Sequence, residues 1–511
     1  MASIKFILLS QSPKNSLLAN FTNKIWILAT SIFLVPIYIK LLGNEAYGLI
    51  AFYTTLLSAI MILDLGLSIT LSRELPIRLS NKTPFSQIKN LVFSIEIIYI
   101  AVGIFIGLVI FLCSNYISLH WINSSVLSPI LVQEAVILMG IVIACQWTIA
   151  LYTGALVGLQ YQTVNSLVSI LFVTVRSLGV LAALYFIEPS IIIYFKWQAG
   201  VSLIYALSMH VIVWYLLPKA ANPVSFSVSE LKTIWRFAIG MTGISLVTFF
   251  INQADKIIVS KYVSLENVGY YGIAFTVVGS ISMLATQIQP IVLPLLTKYI
   301  SQNDDSKTIQ CYHKYCRLIS ILTIPVGISL IVFIKDILWI WTNNENLSGQ
   351  VAPVVRILVV GTICNNLMIT PYMLLLAKGA TNFTFYQNVV AGIFLVPLLF
   401  YWVNLWGIQG AALVWCTVNL GYFFISIPLI HWKYLRYQNK IWYLKDVLPF
   451  MGLSIAVYLV IFFLEKTLQI PRNLLTISFY IFFVLLINFL AEADYRARIL
   501  IQLNYYKNRF L

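Results

Sequence analysis

Long apolar runs with very few charges recur along the whole chain, and they constrain its fold more than any other feature. Of the 511 residues, 60% are hydrophobic and only 10% are charged, and the mean hydropathy is +0.91. Soluble domains are about 25% charged. A membrane-spanning helix needs about 20 apolar residues, so the chain has room for many of them. The sequence therefore predicts an all-α integral membrane protein with little of its length outside the bilayer.

Apolar stretches bounded by polar residues, proline or glycine predict about fourteen transmembrane helices, in groups of six, six and two. The first six are predicted at Leu17–Leu42, Ala46–Leu71, Asn90–Cys113, Ile130–Val157, Val164–Ile187 and Ile191–Leu217. The second six are predicted at Ile234–Val259, Val268–Leu296, Leu318–Thr342, Pro353–Ala377, Thr384–Trp406 and Ile408–Trp432. The last two are predicted at Val447–Leu464 and Leu474–Ala491.

This grouping divides the chain into four parts. The N-terminal lobe is predicted at residues 1–217, a cytoplasmic linker at 218–233 and the C-terminal lobe at 234–432. Residues 433–511 hold the last two helices and a cytoplasmic tail. Because each lobe has an even number of helices, the two lobes are predicted to form a parallel pseudo-two-fold repeat about an axis along the membrane normal.

A short motif supports this repeat. Glu45-x-x-Gly48 stands between predicted helices 1 and 2, and it recurs as Glu266-x-x-Gly269 between predicted helices 7 and 8. The matches therefore fall at equivalent helix ends.

The positive charges mark the orientation of the chain in the membrane. Lys and Arg number 32 against 17 Asp and Glu; 23 of the basic residues lie on the side of the N-terminus, 8 lie on the opposite side, and Arg176 lies mid-span. Cytoplasmic connections carry the excess of Lys and Arg in membrane proteins, so both termini are predicted to be cytoplasmic. The basic excess then indicates contact with anionic membrane lipids and not with nucleic acid.

Several motifs of enzymes are missing from the sequence. No Gly-x-x-x-x-Gly-Lys-Ser/Thr loop is present to bind ATP phosphates. The six cysteines are scattered, the four histidines stand apart from one another, and neither set has metal-ligand spacing. The short connections leave no room for a soluble catalytic domain. The sequence therefore predicts a protein that is not an enzyme and has no metal and no cofactor.

Charged residues inside the apolar runs are the candidates for a functional site. Each costs about 2.5–3.5 kcal/mol at a helix centre, so such residues usually face a bundle interior or a cavity. Arg176 is the sharpest case, because it is too deep to reach either interface easily. It is a candidate for substrate contact, or it pairs with a carboxylate such as Asp64 or Glu96.

The other buried charges allow two interpretations each. Asp64, Glu96 and Asp255 are candidates for ion coupling or for charge pairs that lock the lobe. Lys24 stands two turns into predicted helix 1, near enough to reach the cytoplasmic headgroups. Arg73 ends predicted helix 2 on the cytoplasmic side, where it is a gate or interface anchor.

The N-terminal stretch resembles the N-terminal region of bacterial O-antigen and capsule-type flippases. The resemblance covers Asn20-Phe21, then Pro36-Ile37-Tyr38-Ile39-Lys40-Leu41-Leu42-Gly43-Asn44-Glu45-Ala46-Tyr47-Gly48-Leu49, then Asp64-Leu65-Gly66-Leu67 and Ser72-Arg73-Glu74. These flippases form the polysaccharide branch of the multidrug/oligosaccharidyl-lipid/polysaccharide exporter superfamily. The motif spans about the first 75 residues, while the helix count and six-plus-six layout agree along the whole chain.

The resemblance implies a two-lobed transporter in the bacterial inner membrane that works by alternating access. Its implied substrate is an undecaprenyl-diphosphate-linked oligosaccharide, moved from the cytoplasmic to the periplasmic leaflet. Its implied partners are membrane lipids and the polymerase and chain-length regulator of the same pathway. A diphosphate needs cations when it leaves water, and Arg offers bidentate geometry, so Arg176 and Lys24 are the candidates for binding it.

Two alternatives remain open at this point. A multidrug or cation antiporter of the same superfamily predicts an acid-dominated cavity and twelve helices. A membrane enzyme of polysaccharide assembly predicts a long outer loop or a His-centred motif.

Overall fold

The chain is built from helices. The computed structural model describes residues 13–64, 67–81, 83–218, 223–232, 234 and 253–492. The first helices are α1 (Pro13–Leu42), α2 (Asn44–Ile60), α3 (Leu67–Ser80), α4 (Phe85–Tyr116), α5 (Pro129–Gly158), α6 (Gln162–Phe186) and α7 (Ile191–Leu216). Residues 253–262 are also helical. The later helices are α8 (Leu265–Thr286), α9 (Gln289–Ser301), α10 (Asp305–Thr342), α11 (Glu345–Leu367), α12 (Ile369–Ala377), α13 (Thr381–Gly421), α14 (Ile427–Tyr434), α15 (Gln438–Ile441), α16 (Leu448–Leu468) and α17 (Leu474–Ala491).

Ten helical stretches within the described residues are long and apolar enough to cross a membrane. The prediction of an all-α, multi-pass membrane protein is therefore confirmed. Most of predicted helix 7 and the predicted C-terminal tail lie outside the described residues. The count of fourteen helices stays a prediction.

Predicted helix 2 is broken near its middle. A 3-10 turn at Met61–Asp64 separates α2 from α3. Asp64 accepts a hydrogen bond from the backbone N–H of Ser68 at 3.4 Å and another from the Ser68 hydroxyl. An Asp that bonds to nearby backbone offers the chain an alternative to the regular helical ladder, which explains why an apolar run predicted as one helix divides here.

Predicted helices 11 and 12 lie in one helical stretch of 53 residues, 382–434, with a turn inside it. Gly407 has φ 54° and ψ −131°, a conformation that disfavours any residue with a Cβ. A Cβ at Gly410 would lie 2.0 Å from the carbonyl oxygen of Trp402. Residues eight apart in a straight helix are separated by about 12 Å, so this contact requires the chain to fold back at Gly407.

The chain forms two compact units, residues 1–269 and residues 270–511. The division falls inside α8, whereas the predicted lobes divide at the linker 218–233. The predicted domain boundaries stay a prediction.

In unit 1, the two copies of the sequence motif contact each other. The side-chain amide of Asn44 donates to the carboxylate of Glu266 at 2.9 Å. A Cβ at Gly48 would lie 2.0 Å from the carbonyl oxygen of Leu265, and one at Gly269 would lie 3.3 Å from the Cα of Gly48. The glycines therefore let the start of α2 and the start of α8 approach backbone to backbone, as small residues do at membrane helix crossings.

Glu45 fastens the chain between α4 and α5 to the start of α2. Its carboxylate accepts hydrogen bonds from the backbone N–H groups of Ser125, Val126 and Leu127 at 2.8, 2.9 and 3.2 Å, and from the Ser125 hydroxyl at 2.5 Å. Burial alone would raise the pKa of this carboxyl, but the hydrogen bonds outweigh burial and the pKa of Glu45 is lowered.

We expect Glu45→Ala to lower the free energy of unfolding of unit 1 by about 1–3 kcal/mol, because it strips these backbone donors of their acceptor. A lowered pKa in the folded protein means that the carboxylate stabilises it fully above the ordinary Glu pKa of about 4.3, and that this contribution is lost as the pH falls below that value. Thermal unfolding of the purified protein between pH 3 and 7 measures both effects. An alanine variant as stable as the wild type at pH 7 would contradict this assignment.

Helix α10 organises unit 2. Tyr312 and Ile319 lie in one hydrophobic cluster, and Phe333, farther along α10, packs with Tyr458 of α16 and Tyr480 of α17 in another. The last two helices therefore pack against α10 through aromatic contacts, with ring centroids 5.9–6.0 Å apart.

A buried network of charged groups joins three segments of unit 2. Asp446 is fully buried and is bonded to His313, and it lies 3.4 Å from Arg317. Arg317 also binds Glu492, at the end of α17, at 2.8 Å. Tertiary packing thus brings to His313 a carboxylate that is far away in sequence.

Candidate functional site

Arg176 lies near four tyrosines in unit 1. It stands midway along α6, half-buried, close enough for electrostatic interaction with the phenol groups of four tyrosines. These are Tyr38 of α1, Tyr53 of α2, and Tyr194 and Tyr205 of α7. The rings of Tyr38 and Tyr194 pack edge to face with centroids 5.4 Å apart. Tyrosines from three helices thus lie near the guanidinium.

These tyrosines offer neutral hydrogen-bonding groups and no carboxylate. Among the described residues, no carboxylate forms a salt bridge with Arg176. A cation at mid-depth without a carboxylate partner is suited to binding an anion.

Two hydrogen bonds hold α6 against α1 on either side of Arg176. The indole N–H of Trp26 donates to the Thr174 hydroxyl at 2.9 Å, and the Tyr38 hydroxyl donates to the carbonyl of Ser177 at 3.3 Å. Lys24, on α1, is exposed and has no hydrogen bond or salt bridge to a described residue. Lys24 and Arg176, the two cations that the sequence suggested for binding a diphosphate, thus stand on neighbouring helices. The four tyrosines lie near Arg176.

Glu96 lies in a second group of polar side chains. It is 3% exposed, on α4. Its carboxylate accepts from the Tyr152 hydroxyl at 2.6 Å and from the Trp214 indole N–H at 3.0 Å, and the Nδ1 atom of His210 lies 2.6 Å away. The His210 side chain is 44% exposed. His210 therefore links a buried carboxylate to a more open environment, an arrangement that can pass a proton.

Asp64 lies at the break between α2 and α3, close to the Glu96 group. Its carboxylate accepts hydrogen bonds from Ser68 and from the hydroxyl of Tyr99. Tyr99 and Glu96 are one turn apart on the same face of α4. Helix α4 thus contributes Glu96 itself and a hydrogen-bond donor to Asp64. Within the described part of unit 1, the partners of these two carboxylates are neutral donors and one histidine.

The remaining candidates are placed as follows. Asp255 is buried in the helical residues 253–262, next to Lys256, whose ammonium group donates to Gln253 at 3.1 Å. Arg73 is largely exposed, 3.7 Å from Glu74, as an interface anchor would be.

Another arginine at this end of α3, Arg78, makes a closer ion pair than that of Arg73 with Glu74. Arg78 is bonded to Glu230 of the predicted linker. The backbone N–H of Ser227 also donates to the Ser94 hydroxyl at 2.8 Å. The described part of the linker is therefore fastened over α3 and α4, near the Glu96 group.

Sequence reasoning missed Tyr152, His210 and Trp214 as partners of Glu96. The i, i+4 spacing of His210 and Trp214 places them on one face of α7, and this was the available signal. That this face meets Glu96 of α4 depends on tertiary packing.

The chain is similar to known proteins of polysaccharide assembly. Residues 37–341, more than half of the chain, match the family model described as polysaccharide biosynthesis protein. A candidate O-antigen transporter of Shigella flexneri is 22% identical over 406 residues, which are 78% of this chain and 93% of that protein. The teichuronic acid biosynthesis protein TuaB of Bacillus subtilis is 24% identical over 60% of this chain and 62% of its own length.

Solved structures show the same fold at low sequence identity. The lipid II flippase MurJ, in an inward closed conformation, superposes with a TM-score of 0.70 at 14% identity, over 95% of this chain and 99% of its own. An inward-facing multidrug resistance transporter of the MATE family, from the same superfamily, gives a TM-score of 0.62 at 14% identity, over 80% and 94%. The chain belongs to the polysaccharide biosynthesis protein family, and its fold is the one seen in the solved MurJ and MATE structures.

Proposed function

We propose that this protein flips an undecaprenyl-diphosphate-linked oligosaccharide, an O-antigen or capsule repeat unit, from the cytoplasmic to the periplasmic leaflet by alternating access. The observation that carries the proposal is Arg176, a mid-span cation near four tyrosines and without a carboxylate partner among the described residues. A diphosphate is the anionic group of such a substrate, and bidentate contacts from Arg compensate for its desolvation. Family membership and the Shigella relative support the polysaccharide assignment.

The tyrosines around Arg176 also suit the sugar next to the diphosphate. Phenol rings offer apolar faces and hydroxyl groups together. Lys24, exposed on α1, is proposed as a second contact that meets the anionic headgroup as it enters from the cytoplasmic side. Arg73 is proposed to stand at the cytoplasmic edge of the same route.

The proposed setting is the bacterial inner membrane, with both termini in the cytoplasm. The distribution of Lys and Arg, 23 on one side and 8 on the other, supports this orientation. After release at the periplasmic side, the oligosaccharide is handed to the polymerase and chain-length regulator of the same pathway.

Transport is proposed to be coupled to an ion gradient through Glu96 and His210. The buried carboxylate and the half-exposed imidazole are 2.6 Å apart, so a proton can move between them in one step. Asp64 joins this path through Tyr99, one turn along α4. Asp255 is the candidate for a separate coupling or locking role.

We expect Glu96→Gln to remove the response of transport to a pH gradient, because glutamine keeps the shape of the side chain but cannot take up the proton. The measurement is lipid-linked oligosaccharide flipping in proteoliposomes with and without an imposed gradient. The control is Glu134→Gln, at an exposed side chain 3.5 Å from Lys196. Stimulation of the Glu96→Gln variant equal to that of the control would contradict proton coupling through Glu96.

A multidrug or cation antiporter is the second candidate. The likeness to the MATE family transporter favours it, and so do the half-buried Asp64 and the buried Glu96 of unit 1. The substrates of such an antiporter are cations, however, and the positive charge of Arg176 on α6 would repel a cation in unit 1.

A deletion strain distinguishes the two functions. Loss of the gene is expected to abolish surface polysaccharide and to accumulate lipid-linked oligosaccharide on the cytoplasmic leaflet, with unchanged susceptibility to cationic drugs. Normal surface polysaccharide together with increased drug susceptibility would instead support the antiporter.

A further inference from the structure

A cationic pocket opens in unit 2. Its volume is about 690 Å³, and it is lined by the end of α9, the first turns of α10 and the segment just before α16. The lining includes Lys307, Lys314, Arg317 and Lys445 together with His313. None of the described residues that line it is Asp or Glu. The pocket therefore gathers positive charge from two segments that are far apart in sequence.

Local ion pairs account for only part of this charge. Lys307 is bound to Asp304 at 2.7 Å, and Arg317 and His313 are bound to the buried network of Asp446 and Glu492. This network holds the wall of the pocket in place. Lys314 and Lys445 form no salt bridge with a described residue, so their charge is available to a ligand.

The surroundings of the pocket are apolar on one side. Leu295 and Ile441 belong to its lining, and the neighbouring Leu444 and Leu448, one turn apart, are 62% and 41% exposed. Tyr299 and Tyr315 also line it. Lysines beside exposed leucines and tyrosines are typical of the boundary between headgroups and acyl chains. By the count of Lys and Arg, this boundary is the cytoplasmic one.

We propose that this pocket binds the phosphate headgroup of an anionic membrane lipid, with Lys314 and Lys445 contacting the phosphate and the acyl chains lying along Leu444 and Leu448. Basic pockets between transmembrane helices on the cytoplasmic side bind such headgroups. A free phosphate offers the same anion but has no acyl chain to cover the exposed leucines. The lipid would hold α9, α10 and the start of α16 together.

Native mass spectrometry of the purified full-length protein tests this proposal. Wild-type protein is expected to retain phosphatidylglycerol in preference to phosphatidylcholine. The double variant Lys314→Ala/Lys445→Ala is expected to bind phosphatidylglycerol about tenfold more weakly, since two lysines close to the phosphate are lost. The matched control is Lys335→Ala/Lys466→Ala, which removes the same charge from exposed lysines toward the other ends of α10 and α16.

Two results would overturn the proposal. One is equal retention of phosphatidylglycerol by the double variant and the control. The other is displacement of the lipid by inorganic phosphate at equal concentration, which would assign the pocket to the free anion. If the double variant does not fold, Lys445→Ala alone, at an exposed side chain, decides: partial loss supports the lipid site, and wild-type retention overturns it.

Discussion

Cells that carry Arg176→Ala in place of the wild-type protein are expected to make no surface polysaccharide, although protein level and topology stay normal. Alanine removes the mid-span cation near the four tyrosines, and with it the charge proposed to bind the diphosphate. Arg176→Lys is expected to retain partial function, because lysine keeps the charge but loses the bidentate geometry. Surface polymer, measured by gel electrophoresis of cell extracts against protein level by immunoblot, reports both variants.

Arg436→Ala is the matched control for these variants. Arg436 is exposed between α14 and α15, so its loss is expected to leave the polymer at the wild-type level. Wild-type polymer from Arg176→Ala would mean that Arg176 has a structural role or none. Equal activity of Arg176→Lys and wild type would argue against bidentate contact with phosphate.

Gly48→Ala is expected to destabilise the protein strongly. A Cβ at this position would lie 2.0 Å from the carbonyl oxygen of Leu265 and 2.8 Å from its carbonyl carbon. Backbone atoms cannot turn aside as a flexible side chain can, so the starts of α2 and α8 must separate. We expect a loss of about 1–3 kcal/mol or more in unfolding free energy, and a melting temperature lower by several degrees.

Gly200→Ala provides the comparison, because a Cβ there meets no atom within 4 Å. It is expected to keep or slightly raise stability, since alanine favours a helix interior. A Gly48→Ala variant as stable as Gly200→Ala would show that α2 and α8 do not approach so closely in the membrane.

The extent of some helices was predictable from the sequence, whereas α10 begins thirteen residues before the predicted Leu318 and the predicted helix Val268–Leu296 is divided into α8 and α9. The predicted helix Leu474–Ala491 coincides with α17, and the predicted helix Ile130–Val157 differs from α5 by one residue at each end. Both are long apolar runs bounded by caps: Ser128 and Asn473 each accept a hydrogen bond from a backbone N–H in the first turn. Hydropathy and caps act locally, so sequence reasoning finds them.

The break at Asp64 was not predicted, because hydropathy reports where a span lies and not whether its backbone is regular. The recurrence of Glu45-x-x-Gly48 was found as a sign of repetition. That its two copies pack against each other, through Asn44 and Glu266, depends on tertiary structure.

The candidate site was predictable only in part. Arg176 was found because a charge in the middle of an apolar run is costly wherever it points. Its tyrosine partners could not be found in this way, because tyrosines are common in such runs and only packing selects four of them. Glu96 was found for the same reason as Arg176, while His210 and Trp214 come from a helix more than a hundred residues away in sequence.

Flipping of a purified lipid-linked oligosaccharide by the reconstituted protein tests the central claim most directly. Proteoliposomes would carry an undecaprenyl-diphosphate oligosaccharide, and access of a membrane-impermeant glycosidase to the sugar would measure its movement between leaflets. The wild-type protein is predicted to move it at a rate that Arg176→Ala lowers to the rate of empty liposomes. Equal rates for the Arg176→Ala variant and the wild type would contradict a diphosphate site at Arg176.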